Sequence, residues 1–363
     1  MQYRTLYVLM LAQAPWLVAC GGGSSNGPSE GGGGSAALAS VAGVSGTLAT
    51  GGDSAAGGLP SPGGTSTAGA GSADCPAVVA GATRVAVGWQ FSCAIDSAAA
   101  ISCWGVPTSD RGQTKAPTGT FIDLSAAREA ACAIRTDGTL ACWGDIAEPP
   151  SGKFLRVAAE SSLACAIAEC GKVTCWGANA QNVLPGAARF TRFAVGEQFG
   201  CGITPQGSIQ CFGVNTAHGL LSPPSGKFTE LAAGEEHACA IRSDGTLACW
   251  GLGAAGQPVN GSDPKTWSWG QAIPPGGQFV GIAAGLTDSC AIDLTSRLAC
   301  WGAGTTLGDC VQLSHCGQGT PVEGMYQQIS ISLAHACGLR VDGSLACWGS
   351  NTGGKATPPA AFH

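Results

Sequence analysis

The chain has 363 residues, of which only 11% are charged and 6% aromatic, while glycine alone accounts for 58. Its formal net charge is −6, and it contains no run of lysine or arginine. This balance argues against a nucleic-acid-binding protein, which needs a basic surface. Low charge, abundant glycine and many short motifs indicate an all-β fold with tight turns.

The first residues have the features of an export signal. Arg4 is followed by an apolar stretch that is too short to span a bilayer. The stretch ends in Leu-Val-Ala-Cys at Cys20, which resembles the lipobox of bacterial lipoproteins. That resemblance implies cleavage after residues 1–19, lipidation of Cys20 and an anchor in the bacterial outer membrane, on its periplasmic or cell-surface side. A plain signal peptide with a chance cysteine is the alternative.

Residues 20–74 form a second predicted segment. They consist almost entirely of glycine, serine, alanine, threonine and proline, a composition that cannot build a hydrophobic core. We expect a disordered tether that spans on the order of 40 Å and holds a folded domain, residues 75–363, away from a membrane.

The folded domain repeats itself, which is the strongest signal in the sequence. Two cysteines stand ten residues apart seven times, and Trp-Gly or, once, Phe-Gly follows each second cysteine. In six of the seven units, Phe or Tyr stands eleven residues before the first cysteine. The pairs are Cys93/Cys103, Cys132/Cys142, Cys165/Cys175, Cys201/Cys211, Cys239/Cys249, Cys290/Cys300 and Cys337/Cys347.

The unit around Cys239 predicts a hairpin with a three-residue loop, Ser243-Asp244-Gly245. A type I turn followed by a left-handed glycine places Cys239 directly opposite Cys249. Opposed residues bring their β-carbons to about 4.5–5.5 Å, which is close enough for a disulfide after slight adjustment. We therefore predict seven cross-strand disulfides and, because disulfides persist in oxidising compartments, an exported protein.

Both faces of this hairpin are apolar, since Cys239 and Ile241 share one face and Ala240 and Trp250 share the other. We therefore expect both faces to be buried. A single short unit cannot bury two faces, but stacked neighbours can. Seven such units predict a seven-bladed β-propeller of short antiparallel blades. The first unit has Ala82 in place of the aromatic residue, and we expect Phe362 to supply it and lock the two ends of the chain together.

The pattern A-A-G-x-x-H-x-C-A-I-x-x-D-G-x-L-x-C-W-G, clearest at 232–251, resembles the repeat of the regulator of chromosome condensation family. The resemblance covers roughly residues 82–362 and implies a seven-bladed propeller. The founder of that family is a nuclear nucleotide-exchange factor. This chain differs in compartment, repeat length and paired cysteines, so no exchange-factor residues carry over. A secreted bacterial propeller that inhibits β-lactamases shares the repeat, which keeps an inhibitor role open.

The sequence contains no convincing catalytic motif: no G-x-S-x-G elbow, P-loop, H-E-x-x-H or EF-hand loop. His237 and His335 occupy the same position of the repeat, which favours a structural imidazole that bonds a neighbouring loop. Several acids precede the hairpins at positions that could rim an axial channel, namely Glu160, Glu197, Glu235, Glu236 and Asp288. A propeller hydrolase or lyase that uses them is the least favoured function. We expect no enzyme, no cofactor and no metal.

Four further cysteines lie outside the pairs. Cys310 and Cys316 are near in sequence and are expected to close one loop, which leaves Cys75 to pair with Cys170. Connectivity is not fixed by sequence, and a metal site at His315 and Cys316 is the sharper alternative.

Two long insertions, residues 252–278 and 303–325, separate the last three blades. Repeat insertions map to loops, often on the binding face. Trp267 and Trp269 lie outside the repeat pattern, either as exposed anchors for a partner or packed over a blade edge. We expect a monomeric, non-catalytic binding module that recognises a protein or glycan through these loops. An inhibitor of a secreted or envelope enzyme is the alternative.

Overall fold

A computed structural model describes residues 77–78, 84–106, 110–178, 180–183, 185–214, 218–257, 268–305 and 316–362. The signal peptide and the tether lie outside the described residues. Their boundaries and the lipidation of Cys20 therefore stay predictions. In the described part of the chain, no helix is long and apolar enough to cross a membrane.

The described residues fold into seven three-stranded antiparallel sheets, the blades of a propeller. In each blade the three strands pair in chain order. The strands are, for blade 1, β1 Val85–Val87, β2 Ser92–Ile95 and β3 Ile101–Trp104; for blade 2, β4 Phe121–Ala126, β5 Ala130–Arg135 and β6 Leu140–Gly144; for blade 3, β7 Phe154–Glu160, β8 Leu163–Ala168 and β9 Val173–Gly177; for blade 4, β10 Arg192–Val195, β11 Phe199–Ile203 and β12 Ile209–Gly213; for blade 5, β13 Phe228–Ala233, β14 His237–Arg242 and β15 Leu247–Gly251; for blade 6, β16 Phe279–Ala284, β17 Asp288–Asp293 and β18 Leu298–Gly302; and for blade 7, β19 Tyr326–Ile331, β20 His335–Arg340 and β21 Leu345–Gly349. Single-turn 3₁₀ helices lie at Glu169–Gly171, Ala180–Asn182, Thr352–Gly354 and Ala360–Phe362.

The predicted hairpin and its disulfide are confirmed. Cys239 pairs with Cys249 across β14 and β15, and their Cα atoms are 4.1 Å apart. The amide of Gly245 donates to the carbonyl of Arg242 at 2.9 Å, and Gly245 has a φ of +86°, which glycine adopts without steric cost.

All seven predicted cross-strand disulfides are present, and in each one the two cysteines stand directly opposite one another in the second and third strands of a blade. In blade order they are Cys93–Cys103, Cys132–Cys142, Cys165–Cys175, Cys201–Cys211, Cys239–Cys249, Cys290–Cys300 and Cys337–Cys347.

The two cysteines of each pair differ in burial, which corrects the expectation that the hairpin is buried throughout. The first cysteine stands on the middle strand and is at most 2% exposed in every blade. The second is only half-buried, because its strand is the outer edge of the sheet and pairs with no further strand in the described part of the chain. These half-buried cysteines are Cys103, Cys142, Cys175, Cys211, Cys249, Cys300 and Cys347.

Both faces of each hairpin nevertheless pack against other blades, as the apolar pattern predicted. On one face of blade 5, Cys239 and Ile241 pack against Trp301 of blade 6. On its other face, Ala240 and Trp250 pack against blade 4. The disulfide face of one blade therefore meets the tryptophan face of the next, and each disulfide lies at a seam between blades, with its inner cysteine in the core.

The tryptophans also tie the loops between blades to the sheets, through a motif that the sequence analysis missed. The indole N–H of Trp301 donates to the carbonyl of Gln271 at 2.8 Å, and Trp143 and Gln113 repeat this bond at 2.8 Å. In each case the acceptor stands 30 residues before the tryptophan and follows a glycine with positive φ. With Trp348 and Gln318, which make the same bond at 2.7 Å, this Gly-Gln turn fixes the loops that lead into blades 2, 6 and 7.

The ring closes between blades 7 and 1, and Phe362 occupies the place predicted for it. Its side chain is 6% exposed and its ring centroid lies 6.1 Å from that of Trp104. It packs between Leu339 of blade 7 and Ala94 of blade 1, as Phe279 packs between blades 5 and 6. The aromatic residue missing from the first unit is thus supplied by the end of the chain.

An axial channel runs through the ring. The first strands of all seven blades line a cavity of about 260 Å³. Most of its wall consists of small or aliphatic side chains, among them Val87, Ala158, Val195, Ala232 and Ala283. The surface that faces the cavity is nevertheless more polar than apolar, and Arg156 and Glu160 of β7 also line it.

Candidate functional site

One end of the channel is surrounded by residues at the junction between the first and second strands of the blades. Each blade contributes one side chain to this end, which we call the channel mouth. In blade order these are Trp89, Arg128, Glu160, Glu197, Glu235, Leu286 and Leu333, of which Glu160 stands one position earlier in its repeat than the others. The repeated backbone thus presents a sequence of different side chains around one opening.

Three consecutive blades supply carboxyl groups, Glu160, Glu197 and Glu235, which we call the acidic arc. The amide of Glu197 donates to the carbonyl of Glu235 at 3.4 Å, and the two side chains are hydrogen-bonded. Burial first, and then the charges of Glu197 and Glu160, raise the pKa of Glu235 well above its ordinary value. Burial also raises the pKa of Glu160 to about 7. Glu160 and Glu235 therefore hold their protons to a higher pH than an exposed glutamate does.

Arg128 lies beside the acidic arc but is stacked on an aromatic ring. Its guanidinium carbon is 3.4 Å from the ring centroid of Trp89, a cation–π contact. Its Nε is buried without a hydrogen-bond partner among the described residues. The positive charge lowers the pKa of Glu160 and of Glu235, but in both cases burial outweighs it. The arginine thus compensates the acids only in part.

Trp89, Leu286 and Leu333 form the opposite side of the mouth, which we call the apolar arc. They pack around the half-cystine Cys316, which belongs to the insertion 303–325. The side-chain amide of Gln318 in the same insertion donates to the carbonyl of Leu333 at 3.2 Å. The end of this insertion is therefore fixed at the mouth, next to an apolar surface.

Of the five acids that the sequence placed near the channel, Asp288 does not reach it, which corrects that expectation. The carbonyl of Glu236 accepts a bond from the amide of Leu252 at 2.8 Å, on the loop that follows β15. Asp288 is fully buried at the start of β17. The Asp288 side chain lies against Gly285 inside the propeller.

The two histidines of the repeat are structural, as expected, although the partner differs from the expected loop. His237 bonds the hydroxyl of Ser289 at 2.8 Å, and His335 bonds that of Ser92 at 2.9 Å. Each serine belongs to the next blade and in turn bonds a loop carbonyl. Burial lowers the pKa of His237 to about 4. Burial and the charge of Lys355 lower the pKa of His335 to about 3.

Trp269 is half-buried at the Gly-Gln turn before blade 6, and Trp267 lies outside the described residues. The amide of Trp269 donates to Oε1 of Gln271 at 2.8 Å. Arg111 and Cys316 make the same bond to Gln113 and Gln318. Trp269 thus occupies a repeated structural position, and its role as an anchor stays a prediction.

Cys170 and Cys316 are disulfide-bonded. The expected partners, Cys75 and Cys310, lie outside the described residues together with His315, so these pairings also stay predictions. Among the described residues, no group of three or more His, Cys, Asp or Glu side chains has the arrangement of a metal site.

Two segments of the chain, residues 228–257 and 326–355, match the family described as the regulator of chromosome condensation (RCC1) repeat. They correspond to blades 5 and 7, where the sequence pattern is most complete. No curated protein sequence matches the chain.

Solved structures support the fold independently. The ectodomain of the Physcomitrella patens receptor kinase CR4 is 24% identical, with 74% of this chain and 73% of that chain covered and a TM-score of 0.58. The CRINKLY WD40 ectodomain of the Arabidopsis thaliana receptor kinase ACR4 is 20% identical, with 78% and 98% covered and a TM-score of 0.58. Prp20p from Saccharomyces cerevisiae is 18% identical, with 66% and 74% covered and a TM-score of 0.51. The chain therefore has a seven-bladed β-propeller fold, and two of its blades match the RCC1 repeat.

Proposed function

We propose that the chain is an exported, non-catalytic protein-binding module that holds its partner on the face around the channel mouth. The division of the mouth into an acidic arc and an apolar arc carries this proposal. The repeat holds the backbone constant there, while the side chains change from blade to blade. Different side chains on the same backbone scaffold are suited to the recognition of a partner. We find no other arrangement among the described residues that favours catalysis.

The mouth is chemically suited to a basic side chain of the partner. A lysine or arginine can place its charged head against Glu197 and Glu235 while its aliphatic stem lies along Leu286 and Leu333. Without a partner, burial and the neighbouring charge oppose ionisation of Glu235, and a proton on Glu235 relieves its repulsion with Glu197. A cation can take over that role, so binding is expected to release the proton and to weaken as salt is added.

A related fold supports a protein as the partner. The structure of Prp20p is described together with its binding properties to Gsp1p and histones. Two of the similar structures are receptor ectodomains, and the seven disulfides of this chain suit an oxidising, exported environment. Lipidation at Cys20 and attachment to the outer membrane belong to the same proposal.

The insertions add a second contact area to this proposal. The residues that flank 258–267 meet at a bridge between Ala254 and Ala272, so that segment leaves and rejoins the propeller at one place. Trp267 lies within it and Trp269 lies directly after it. A partner seated on the mouth would meet the insertion 303–325 at its anchored end, next to Leu333.

The experiment is partner capture on the oxidised chain, immobilised through its N-terminal segment. Envelope and culture-medium fractions of the producing organism are passed over wild type, E197Q/E235Q and a control, E148Q/E323Q. The control removes the same formal charge from two exposed acids that precede the first strands of blades 3 and 7. We expect one protein to be retained by wild type and control and lost from E197Q/E235Q. Equal retention by E197Q/E235Q would contradict a site at the mouth.

A third variant tests the loop contact separately. It replaces residues 258–267 with glycine and serine and leaves Gln271 in place, because the carbonyl of Gln271 accepts the indole bond of Trp301. Weaker retention by this variant supports Trp267 as an anchor. Unchanged retention confines the contact to the mouth.

A further inference from the structure

Three blades begin their second strand with an ionisable side chain that lies entirely inside the propeller. His237, Asp288 and His335 start β14, β17 and β20, and each is 0% exposed. They belong to blades 5, 6 and 7, and each faces the seam toward the blade that follows.

At two of these seams the ionisable group has a hydroxyl partner. The Ser289 hydroxyl, 2.8 Å from His237 Nε2, also donates to the carbonyl of Gln271 at 3.2 Å. Because a hydroxyl has one proton and a carbonyl only accepts, His237 must donate to Ser289. Ser92 connects His335 to the carbonyl of Lys355 in the same way, at 2.9 and 3.0 Å. Neutral histidines therefore bridge the seams between blades 5 and 6 and between blades 7 and 1.

The seam between blades 6 and 7 lacks this partner. Ser289 and Ser92 each stand opposite the tryptophan of their blade, and the residue opposite Trp348 in blade 7 is Ala336. Neither carboxyl oxygen of Asp288 has a side-chain hydrogen-bond partner among the described residues. The carboxyl group lies against Gly285, where an added Cβ would come within 2.5 Å of Oδ1. The site therefore has no room for a compensating side chain on its own blade.

Among the described residues, no charged group compensates Asp288 either. The titratable groups at this level of the flanking blades are Glu235, Glu236 and His237 on blade 5 and His335 on blade 7. Burial raises the pKa of Asp288 well above its ordinary value, and only the backbone amides of Thr287 and Asp288 oppose it. An ionised Asp288 would be a buried charge without a counter-ion, which is costly.

We propose that the seam between blades 6 and 7 is a pH-sensitive joint of the ring, closed while Asp288 holds its proton and loosened when the carboxyl group ionises. Residues 316–325, the described end of the insertion 303–325, lead into blade 7 and are anchored at Leu333 through Gln318. Opening of this seam would therefore release the loop that borders the apolar arc. The other two bridged seams stay closed over the same pH range, because their histidines are already neutral there.

Hydrogen–deuterium exchange of the full oxidised chain between pH 6 and 9, corrected for intrinsic exchange, tests this proposal. We expect the protection of β20 to fall by up to tenfold per pH unit over part of this range, because the open form binds fewer protons than the closed form. The protection of β14 serves as the internal control and is expected to change less.

Two variants make the assignment specific to Asp288. D288N carries a neutral side chain of the same shape, and we expect its β20 protection to be independent of pH once the β14 change is subtracted. A336S supplies the hydroxyl that the other seams have and is expected to reduce the slope. The proposal is overturned if wild type and A336S lose β20 protection with equal slopes, or if β14 loses as much as β20. Because A336S retains Asp288, it decides the question even where D288N fails to fold.

Discussion

At the seams between blades the same residue types recur from repeat to repeat, whereas at the channel mouth the residue type changes around the ring. Cys239 and Cys249 face Trp301 of the next blade, and six other disulfides are spaced in the same way along the chain. At the mouth, Trp89, Glu235 and Leu333 stand at corresponding places. Residues that recur in every repeat stabilise the ring. Residues that vary at the same position of the repeat are not needed for the ring, and they are the ones that we propose to contact a partner.

The largest effect is expected where the ring closes, because there a single residue replaces a repeat position. Removal of residues 357–363 takes away Phe362 and should separate blades 7 and 1. F362A alone should lower the free energy of unfolding by about 3–5 kcal/mol, the usual cost of truncating a buried aromatic side chain. Denaturant unfolding of the oxidised chain measures this. V106A, at a residue that is 71% exposed, should stay within about 0.5 kcal/mol of wild type.

Loss of one disulfide should cost less than loss of the closure. Replacing Cys239 and Cys249 together by alanine opens a loop of about 11 residues and should cost about 3 kcal/mol in the chain-entropy view. Thermal unfolding under oxidising conditions measures this cost. A change below about 1 kcal/mol would show that packing of the blades, rather than the bond, holds each hairpin.

Acid should weaken the bridged seams. The pKa of His237 is lowered to about 4, below that of an unfolded histidine near 6.5. The unfolded state therefore binds more protons between pH 6.5 and 4, and stability falls as the pH falls through this window, by about 1.4 kcal/mol per unit. H237Q should lack this pH-dependent contribution. Denaturant unfolding of wild type and H237Q at pH 7, 6 and 5 measures the difference in their free energies of unfolding. Parallel curves for wild type and H237Q would contradict it.

The mouth should tolerate substitution with the smallest change in stability. E235Q replaces a carboxyl group whose neutral form is favoured by burial and by its acidic neighbours with a neutral amide of the same shape, so the free energy of unfolding at pH 7 should change by less than about 1 kcal/mol. Burial raises the pKa of Glu160 from 4.5 to about 7 in the folded protein. The free energy of unfolding that Glu160 contributes should therefore fall as the pH rises from 4.5 to 7 and should not fall further above pH 7. E160Q should remove that slope, which a pH series of denaturant unfolding tests. A loss of several kcal/mol in E235Q would assign the mouth to the structural core.

Periodicity explains how much of this structure could be predicted from the sequence. The hairpins, the disulfides, the stacking of blades and the placement of Phe362 all follow from offsets that repeat along the chain. The mouth could not be predicted in the same way, because a shift of one residue in a turn decides whether a side chain faces the axis. Glu160 lines the channel and Asp288 is buried inside the propeller, although both are acids near the start of a second strand.

The unequal burial of the two cysteines in a pair shows a second limit. The alternation of apolar residues says which face of a strand a side chain occupies, and on that basis Cys239 and Cys249 are equivalent. Whether a strand lies in the middle of a blade or at its outer edge is decided by the pairing of three strands, and the edge leaves Cys249 half-buried.

Alignment of the repeats against one another would have separated some of these cases. Asp288 aligns with His237 and His335, two positions before the first cysteine, so it belongs with the buried seam residues. The Gly-Gln turn recurs before three tryptophans, and its spacing of 30 residues would have shown Trp269 to be part of a structural turn. The proximity of Glu197 and Glu235 depends on which blades are neighbours, and only the closed ring establishes it.

The measurement that tests the central claim most directly is site-specific photo-crosslinking of the full chain to the captured partner. One protein carries a photoreactive phenylalanine derivative in place of Leu286 at the mouth. The other carries it in place of Leu294, which is 64% exposed on the loop between β17 and β18, at the other end of the blade. The account predicts a crosslinked partner from position 286 and none from position 294. Crosslinking from position 294 alone would contradict it and place the binding surface on the opposite face.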